Sequence, residues 1–407
     1  MNYNVRLWSV VIAEGLMVFG YSISFPFLAL YLTMERNINM SITGIYFSAV
    51  MIISSLSSTL GGILSDHIGR KKVMFYSLLS RSFFVIIIAV SIKYNLHPIW
   101  ILFFNFLASV LGLGFHPVAI AYISDIVDEK DRVKAYSILR VSTNAGWASG
   151  PAIGGLLSNI SYSLAFFTSG LIIFISSLII FLKVDEKLTK SYNNKEKTSI
   201  KIALMSKTFK KLIIFSFLIT AVMAQLVVPL SLYSKKYLGF SEKNIGVLFT
   251  INGLIVVFFQ YIVGSKIKQE KLISAISISC IIYGIGYLLF GYSKYYTLAI
   301  IAIIIVTCGE IILSPSLSAL VTEFSPHSKR GSYIGIHSMF SEFGRAFGVF
   351  IGTTMIDKFS TRFNQMPWYF IFIISLISSY GFYTLKHSKK NMKIKTPSST
   401  IPEGVLK

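Results

Sequence analysis

Six charged side chains stand within stretches that are otherwise apolar: Glu14, Arg81, Arg140, Glu310, Glu342 and Arg345. A charge at the centre of a bilayer-spanning helix is opposed by roughly 2.5–3.5 kcal/mol, so such residues mark proton relays, ion pathways or substrate contacts unless they snorkel to the surface. Glu14 lies about two turns into its run and is followed by Gly15 and the aromatic residues Phe19, Tyr21 and Phe25. Glu310 lies midway along another. A carboxylate facing a low-dielectric cavity at that depth can take up and release a proton near neutral pH; the bland alternative is permanent pairing with an intramembrane arginine. Glu342 and Arg345, three apart on one helix, are placed to pair with each other. Arg81 and Arg140 have no local partner, although Arg140 could reach Asp125 across helices, or an acidic substrate. His116, beside Pro117, and His337 could titrate too, yet an intramembrane histidine is more often a hydrogen-bonded packing residue.

These groups need a membrane scaffold, and composition supplies one. The 407 residues are 54% hydrophobic and 14% charged, with a mean hydropathy of +0.68, so water is not the solvent for most of the chain. A template of about 20 mainly apolar residues fits twelve times, at 7–33, 41–65, 72–92, 99–125, 133–158, 162–182, 212–234, 244–265, 272–292, 296–323, 331–356 and 367–385. The first run lacks an A-x-A-like cleavage site and reads as a retained span. The net charge of +21 is scattered over short loops and two basic segments, which argues for topology and against nucleic acid. Cys280 and Cys308 both lie in apolar runs, so no disulfide framework is indicated. No H-x-E, C-x-x-C or H-E-x-x-H spacing points to a metal, and no Walker-type loop points to ATP. No cofactor is expected, and energy must come from an ion gradient or from the solute itself.

The lysine-rich stretch 184–211 divides two six-span halves, 1–183 and 212–386, and a basic tail covers 387–407. With the amino terminus cytoplasmic, 27 basic residues fall in inside loops and tails and 8 in outside loops, so both termini and the connector are expected in the cytoplasm of a cell-membrane protein. The halves repeat. A shift of 198 residues lays Pro117 on Pro315, Asp125 on Glu323, Arg132 on Arg330, and Gly146, Gly150 and Gly154 on Gly344, Gly348 and Gly352. A shift of 202 lays Gly44 on Gly246 and Gly62 on Gly264, with Lys268 opposite Asp66.

Two motifs are specific. In GGILSDHIGRKK, from Gly61 to Lys72, adjacent glycines permit a close helix approach, Asp66 ends the helix, and Gly69 turns the chain before a basic helix start. Gly62, Asp66, Gly69, Arg70 and Lys71 resemble the loop between spans two and three of major facilitator superfamily transporters. In NAGWASGPAIGG, Gly146, Gly150 and Gly154 form one smooth stripe, Gly155 widens it, and Pro151 bends the helix. This run resembles the fifth-span signature of the superfamily's drug/proton antiporters. The stretch from Cys308 to Gly335 resembles the tenth-span region of its multidrug members, which places Glu310 at a membrane carboxylate used in proton coupling or cation recognition and likens Asp125 to an acid on the cytoplasmic side. One departure matters. Where the superfamily often has R-x(2)-Q-G in the fourth span, Ala108 to Gly112 hold no arginine, leaving Arg81 or Arg140 to substitute.

The resemblance implies an all-α membrane fold of twelve helices in two parallel-repeated halves, with the substrate site near the midplane between them. It implies a transporter and not an enzyme: a proton-coupled exporter of small amphipathic compounds in the lipid bilayer, for which a monomer is expected to suffice. A carrier for one metabolite, organic anion or lipid is the alternative, and a polytopic membrane enzyme a remote one. Glu14, Tyr21, Phe25, Trp147, Met223, Gln225, Asn252 and Glu310 are the candidate cavity groups, with Glu14, Asp125 and Glu310 the candidate proton carriers.

Overall fold

A computed structural model describes residues 5–112, 114–128, 131–186, 206–325, 330–361 and 363–395. Among them the chain is helical throughout: α1 (Val5–Leu30), α2 (Met40–Ile68), α3 (Arg70–Lys93), α4 (Pro98–Gly112), α5 (Phe115–Ile126), α6 (Arg132–Ile160), α7 (Tyr162–Lys183), α8 (Lys207–Met223), α9 (Val228–Lys236), α10 (Glu242–Lys266), α11 (Leu272–Gly291), α12 (Tyr296–Glu323), α13 (Arg330–Phe359) and α14 (Met366–Lys395). They make twelve spans, because α4 with α5 forms the fourth and α8 with α9 the seventh. The seventh is interrupted by a 3₁₀ turn, Ala224–Leu226, after which Pro229 sits in the first turn of α9, where its missing N–H has no helical partner to lose.

Ten of these spans are both long and apolar enough to cross a bilayer. The other two, α6 and α13, have 29 and 30 residues but carry the glycine stripes and Arg140, Glu342 and Arg345. Their modest hydropathy follows from their place. Each is packed against two other helices, α6 against α1 and α10, α13 against α2 and α8, so little of either needs to satisfy lipid. Two sequence boundaries move. The connector is expected to run to residue 211, yet α8 begins at Lys207, capped by Ser206; the tail is expected from residue 387, yet α14 continues to Lys395. Residues 187–205 and 396–407 of these segments lie outside the described residues.

Helix pairing repeats with the sequence. In the first half, span one packs on five and six, three on four and six, and two on four; in the second, seven packs on eleven and twelve, nine on ten and twelve, and eight on ten. Between the halves, five meets eight and two meets eleven, which is the same pair exchanged by a pseudo-two-fold axis. Glycine makes the close approaches. A Cβ on Gly146, Gly150 or Gly154 would strike the α1 backbone around Gly15, Phe19 and Ile23, while Gly344 and Gly348 face Phe217 and Ala221 of α8. Gly155 does not widen that stripe. It faces the other way, 2.5 Å from Glu242 O if given a Cβ, against α10.

The halves close at one end of the bundle. Away from the termini, Ser41 Oγ donates to Asp357 Oδ2 at 2.7 Å, Tyr162 OH donates to Glu242 Oε1 at 2.7 Å, and Gly44 abuts Thr353. A single apolar core there includes Phe27, Leu28 and Leu30 of α1 with Leu230 and Leu232 of α9 and Phe249 of α10. Toward the termini, a separate core from Leu7 to Val184 belongs to the first half alone. Among the described residues, Gly62 on α2 and Gly335 on α13 have no neighbour within 4 Å of a built Cβ. Among the described residues, the named contacts between the halves thus gather at the end remote from the termini.

Candidate functional site

Two adjoining cavities lie between the halves. The larger, about 850 Å³, is lined by Glu14, Tyr21, Phe25, Arg81, Asn105, His116 and Glu342 among others. The smaller, about 260 Å³, is lined by Phe25, Trp147, Met223, Asn252, Glu310 and Arg345 among others. Phe25 and Met51 line both, so the two adjoin at one boundary. Aromatic rings wall it: Tyr21 stacks on Phe25 at 4.8 Å, Phe25 meets Phe47 edge-on at 5.9 Å, and Trp147 lies 6.3 Å from Tyr21.

On the first-half wall, Glu14 is 1% exposed and its Oε1 lies 2.7 Å from Nδ1 of His116. Its Oε2 is buried without a hydrogen-bond partner. The His116 side chain is 52% accessible, and that surface opens onto the cavity. Helix α5 begins at Phe115, just past the break in the fourth span, and this turn carries His116 to Glu14. The sequence alone leaves His116 open between a titrating group and a packing residue. The adjacent Pro117 and the interrupted span were the available signals, but pairing across 102 residues is a tertiary fact.

Arg81 projects from α3 onto the fourth span where the arginine of the superfamily pattern is missing. Gly112 makes room for it, since a Cβ there would lie 2.8 Å from Arg81 Cβ. Arg81 Nε reaches Ala108 O at 3.4 Å, and its guanidinium lies 5.1 Å from the Tyr21 ring centre.

On the second-half wall, Asn252 Nδ2 donates to Glu310 Oε2 at 2.8 Å and approaches Thr307 Oγ1 at 3.0 Å. These contacts hold α10 against α12 and fix one carboxylate oxygen while Glu310 lines the cavity. Arg345 and Glu342 pair with each other, with Nε to Oε2 at 3.2 Å. Gln225 lines neither cavity, whereas Asn252 lines the smaller one. Gln225 is 1% exposed and its Nε2 donates to Ala221 O and Gly348 O, both at 2.8 Å, bracing the break in span seven.

Asp125 and Arg140 are not brought together. Arg70 Nε lies 3.3 Å from Asp125 Oδ2 and Arg70 Nη1 lies 2.7 Å from Asp66 Oδ1 and 2.5 Å from Ser65 Oγ, so Asp66 and Asp125 share one guanidinium. Arg140 is exposed. Gly69 has φ 104°, a conformation that favours glycine, and the Glu186 carboxylate occupies the space a Cβ would take. That carboxylate also accepts from the Lys71 backbone N–H at 3.3 Å. Among the described residues, no group of three or more His, Cys, Asp or Glu could hold a metal ion.

The paired six-span repeats, the interface of spans five with eight and two with eleven, and the cavity between them agree with a match of residues 10–349 to the Major Facilitator Superfamily model. The chain belongs to the major facilitator superfamily. It is 23% identical over 397 residues to an uncharacterised transporter of the same type, YqjV of Bacillus subtilis, covering 96% of this chain and 95% of that one. Multidrug resistance protein 2 of the same organism is 25% identical over 327 residues, 77% and 79% of the two chains. The quinolone resistance protein NorA of Staphylococcus aureus is 22% identical over 347 residues, 84% and 87%. In fold, the chain resembles the nucleoside transporter NupG, with a TM-score of 0.81 and 15% identity over 94% of this chain and all of that one. This superfamily member is a multi-pass transporter of small molecules and not an enzyme.

Proposed function

We propose that this superfamily member is a proton-coupled exporter of amphipathic, drug-like compounds that works by alternating access. The observation that carries the reading is Glu310: a carboxylate deep in the bundle, fixed through one oxygen by Asn252 and facing an aromatic and methionine-lined cavity between the halves. Proton and substrate compete for it, so that binding of one releases the other. Glu14 with His116 is a second place where a proton can reside, on the opposite wall. Similarity to Multidrug resistance protein 2 and to NorA supports the substrate class, and similarity to a Na(+), Li(+), K(+)/H(+) antiporter of Planococcus maritimus supports proton coupling.

In this reading the terminal end of the bundle is cytoplasmic, following the excess of basic residues there, and the protein resides in the cell membrane. The described state then opens to the cytoplasm, ready to load. Export requires the far-end contacts of Ser41 with Asp357 and Tyr162 with Glu242 to part while the terminal ends of α2 and α13 close. The cluster of Asp66, Arg70 and Asp125, all within the first half, is the gate that docks on that closure.

The test is transport of a fluorescent lipophilic cation into inside-out vesicles, with and without a protonophore, for wild type and Glu310→Gln. Wild type accumulates the dye only with the gradient, and the variant does not. Gradient-driven accumulation by Glu310→Gln at the wild-type rate would remove Glu310 from the coupling step.

A further inference from the structure

A groove of about 540 Å³ lies between α2 and α4, with Tyr46, Val50 and Ile53 on one side and Trp100, Phe103 and Phe106 on the other, among others. Ile53, Trp100 and Phe103 are exposed, so the groove opens toward the membrane. Its lining is apolar except for the Tyr46 hydroxyl, which is engaged across the two helices. That hydroxyl donates to Leu102 O at 2.8 Å and accepts from Asn105 Nδ2 at 2.7 Å. Val50 and Asn105 also line the larger cavity between the halves, so the floor of the groove backs onto that cavity.

Its length fits one leaflet. Both helices start at the end remote from the termini, and the groove extends inward along α2 from Met40 as far as Ile53, about 20 Å, and along α4 from Pro98 as far as Phe106, about 12 Å. Half of a bilayer's hydrocarbon core is about 15 Å. At the mouth, Arg36 donates to Asn95 Oδ1 at 3.0 Å and to Leu96 O at 2.9 Å, which clasps the loop before α4 three residues ahead of the groove residue Ile99. These acceptors are neutral and leave the guanidinium charge in place. The loops at this mouth carry Arg36 and Lys93 against Glu35, one net positive charge, while His97 Nδ1 accepts from the Ile99 N–H at 3.3 Å.

We propose that this groove holds one acyl chain of a phospholipid from the leaflet remote from the termini, with the lipid phosphate against Arg36. The chain covers the exposed faces of Trp100 and Phe103 and fills the gap between α2 and α4 behind the cavity wall. A transported compound fits the groove less well, because the lining offers no free polar group to orient one. The inference is independent of what the central cavity carries. The probe is phosphatidylcholine with a photoactivatable diazirine midway along one acyl chain, diluted into phosphatidylcholine nanodiscs around the full-length protein. Labelled peptides are quantified by mass spectrometry, and the exposed apolar face of α11 that carries Ile278 and Ile285 serves as the reference for ordinary lipid contact.

Every bilayer lipid competes for the same apolar contacts, so preference comes from the groove's shape and the phosphate contact. Labelling of residues 46–53 and 99–106 is expected about fivefold above that of α11, a factor within the range of a single hydrogen bond. Ala49→Trp, which sends a ring into the groove from an exposed position, should bring labelling down to the α11 level with thermal unfolding unchanged. If that variant fails to fold, Ile53→Trp fills the groove from a second exposed position. Arg36→Gln should lower phospholipid labelling and Arg36→Lys should restore it, while a diazirine diacylglycerol, which lacks the phosphate, should be indifferent to Arg36→Gln. Labelling of α2 and α4 no higher than that of α11, undiminished labelling in the tryptophan variants, or equal loss of both lipids in Arg36→Gln overturns the inference. Displacement of the probe by a fluorescent lipophilic cation would assign the groove to substrate and overturn it as well.

Discussion

His116 Nδ1 and Glu14 Oε1 lie 2.7 Å apart on the wall of a central cavity, joining the fourth span to the first. The bond makes a two-residue unit out of groups that are 102 positions apart, one almost fully buried and the other half open to the cavity. Residues that share one such bond act as a unit, so their substitution effects are strongly non-additive. Glu14→Gln and His116→Gln are each expected to lower the gradient-driven export rate about tenfold or more. The double variant should fall no further than the worse single one. Vesicle transport rates for the four proteins check this, and multiplicative losses would mean that the two act separately.

Asp66 is bonded to Arg70, which also holds Asp125 and Ser65. Its carboxylate is 44% accessible, so the pair itself contributes little to stability, on the order of 1 kcal/mol or less. Asp66→Ala should therefore leave expression and substrate affinity close to wild type while cutting transport at least tenfold through the conformational step. Equal loss of binding and transport would count against a gating role.

The far-end closure can be locked. Ser41 Oγ and Asp357 Oδ2 are 2.7 Å apart across the halves, so cysteines at these two positions bring their thiols near each other. Ser41→Cys with Asp357→Cys should cross-link under oxidation and stop transport, and a reductant should restore it. Cross-linking that left the rate unchanged would show that this end need not open.

Glycine positions should separate stability from turnover. Gly155→Leu forces a side chain into Glu242 O and the Gly246 backbone, so both stability and transport should fall, with a loss of roughly 1–3 kcal/mol from overpacking. Gly62→Leu places its Cβ where nothing among the described residues lies within 4 Å in this state. It should leave thermal stability in detergent unchanged yet slow transport severalfold, because the same surface must close against the second half later in the cycle. A large drop in stability for Gly62→Leu would mean that α2 is already packed there.

The spans, the two halves and the glycine stripes follow from sequence alone, because a bilayer imposes a length of about 20 apolar residues and close helix crossings demand small side chains. That Glu342 and Arg345 pair was equally local, since three residues on a helix bring side chains together whatever surrounds them. Gln225 and Gly155 show the limit of such reading. Their residue types suit a cavity and a stripe, but the kink in span seven and the rotation of α6 turn them to bracing and to α10. Which helices meet across the halves, that His116 reaches Glu14, that Asp125 is taken by Arg70, and that Arg81 settles on Ala108 and the Tyr21 ring were decided only by tertiary structure. The reason is physical. Burial and periodicity say that a charge within a helix needs a partner or a cavity, while the choice between them depends on which neighbouring helix supplies the facing atom.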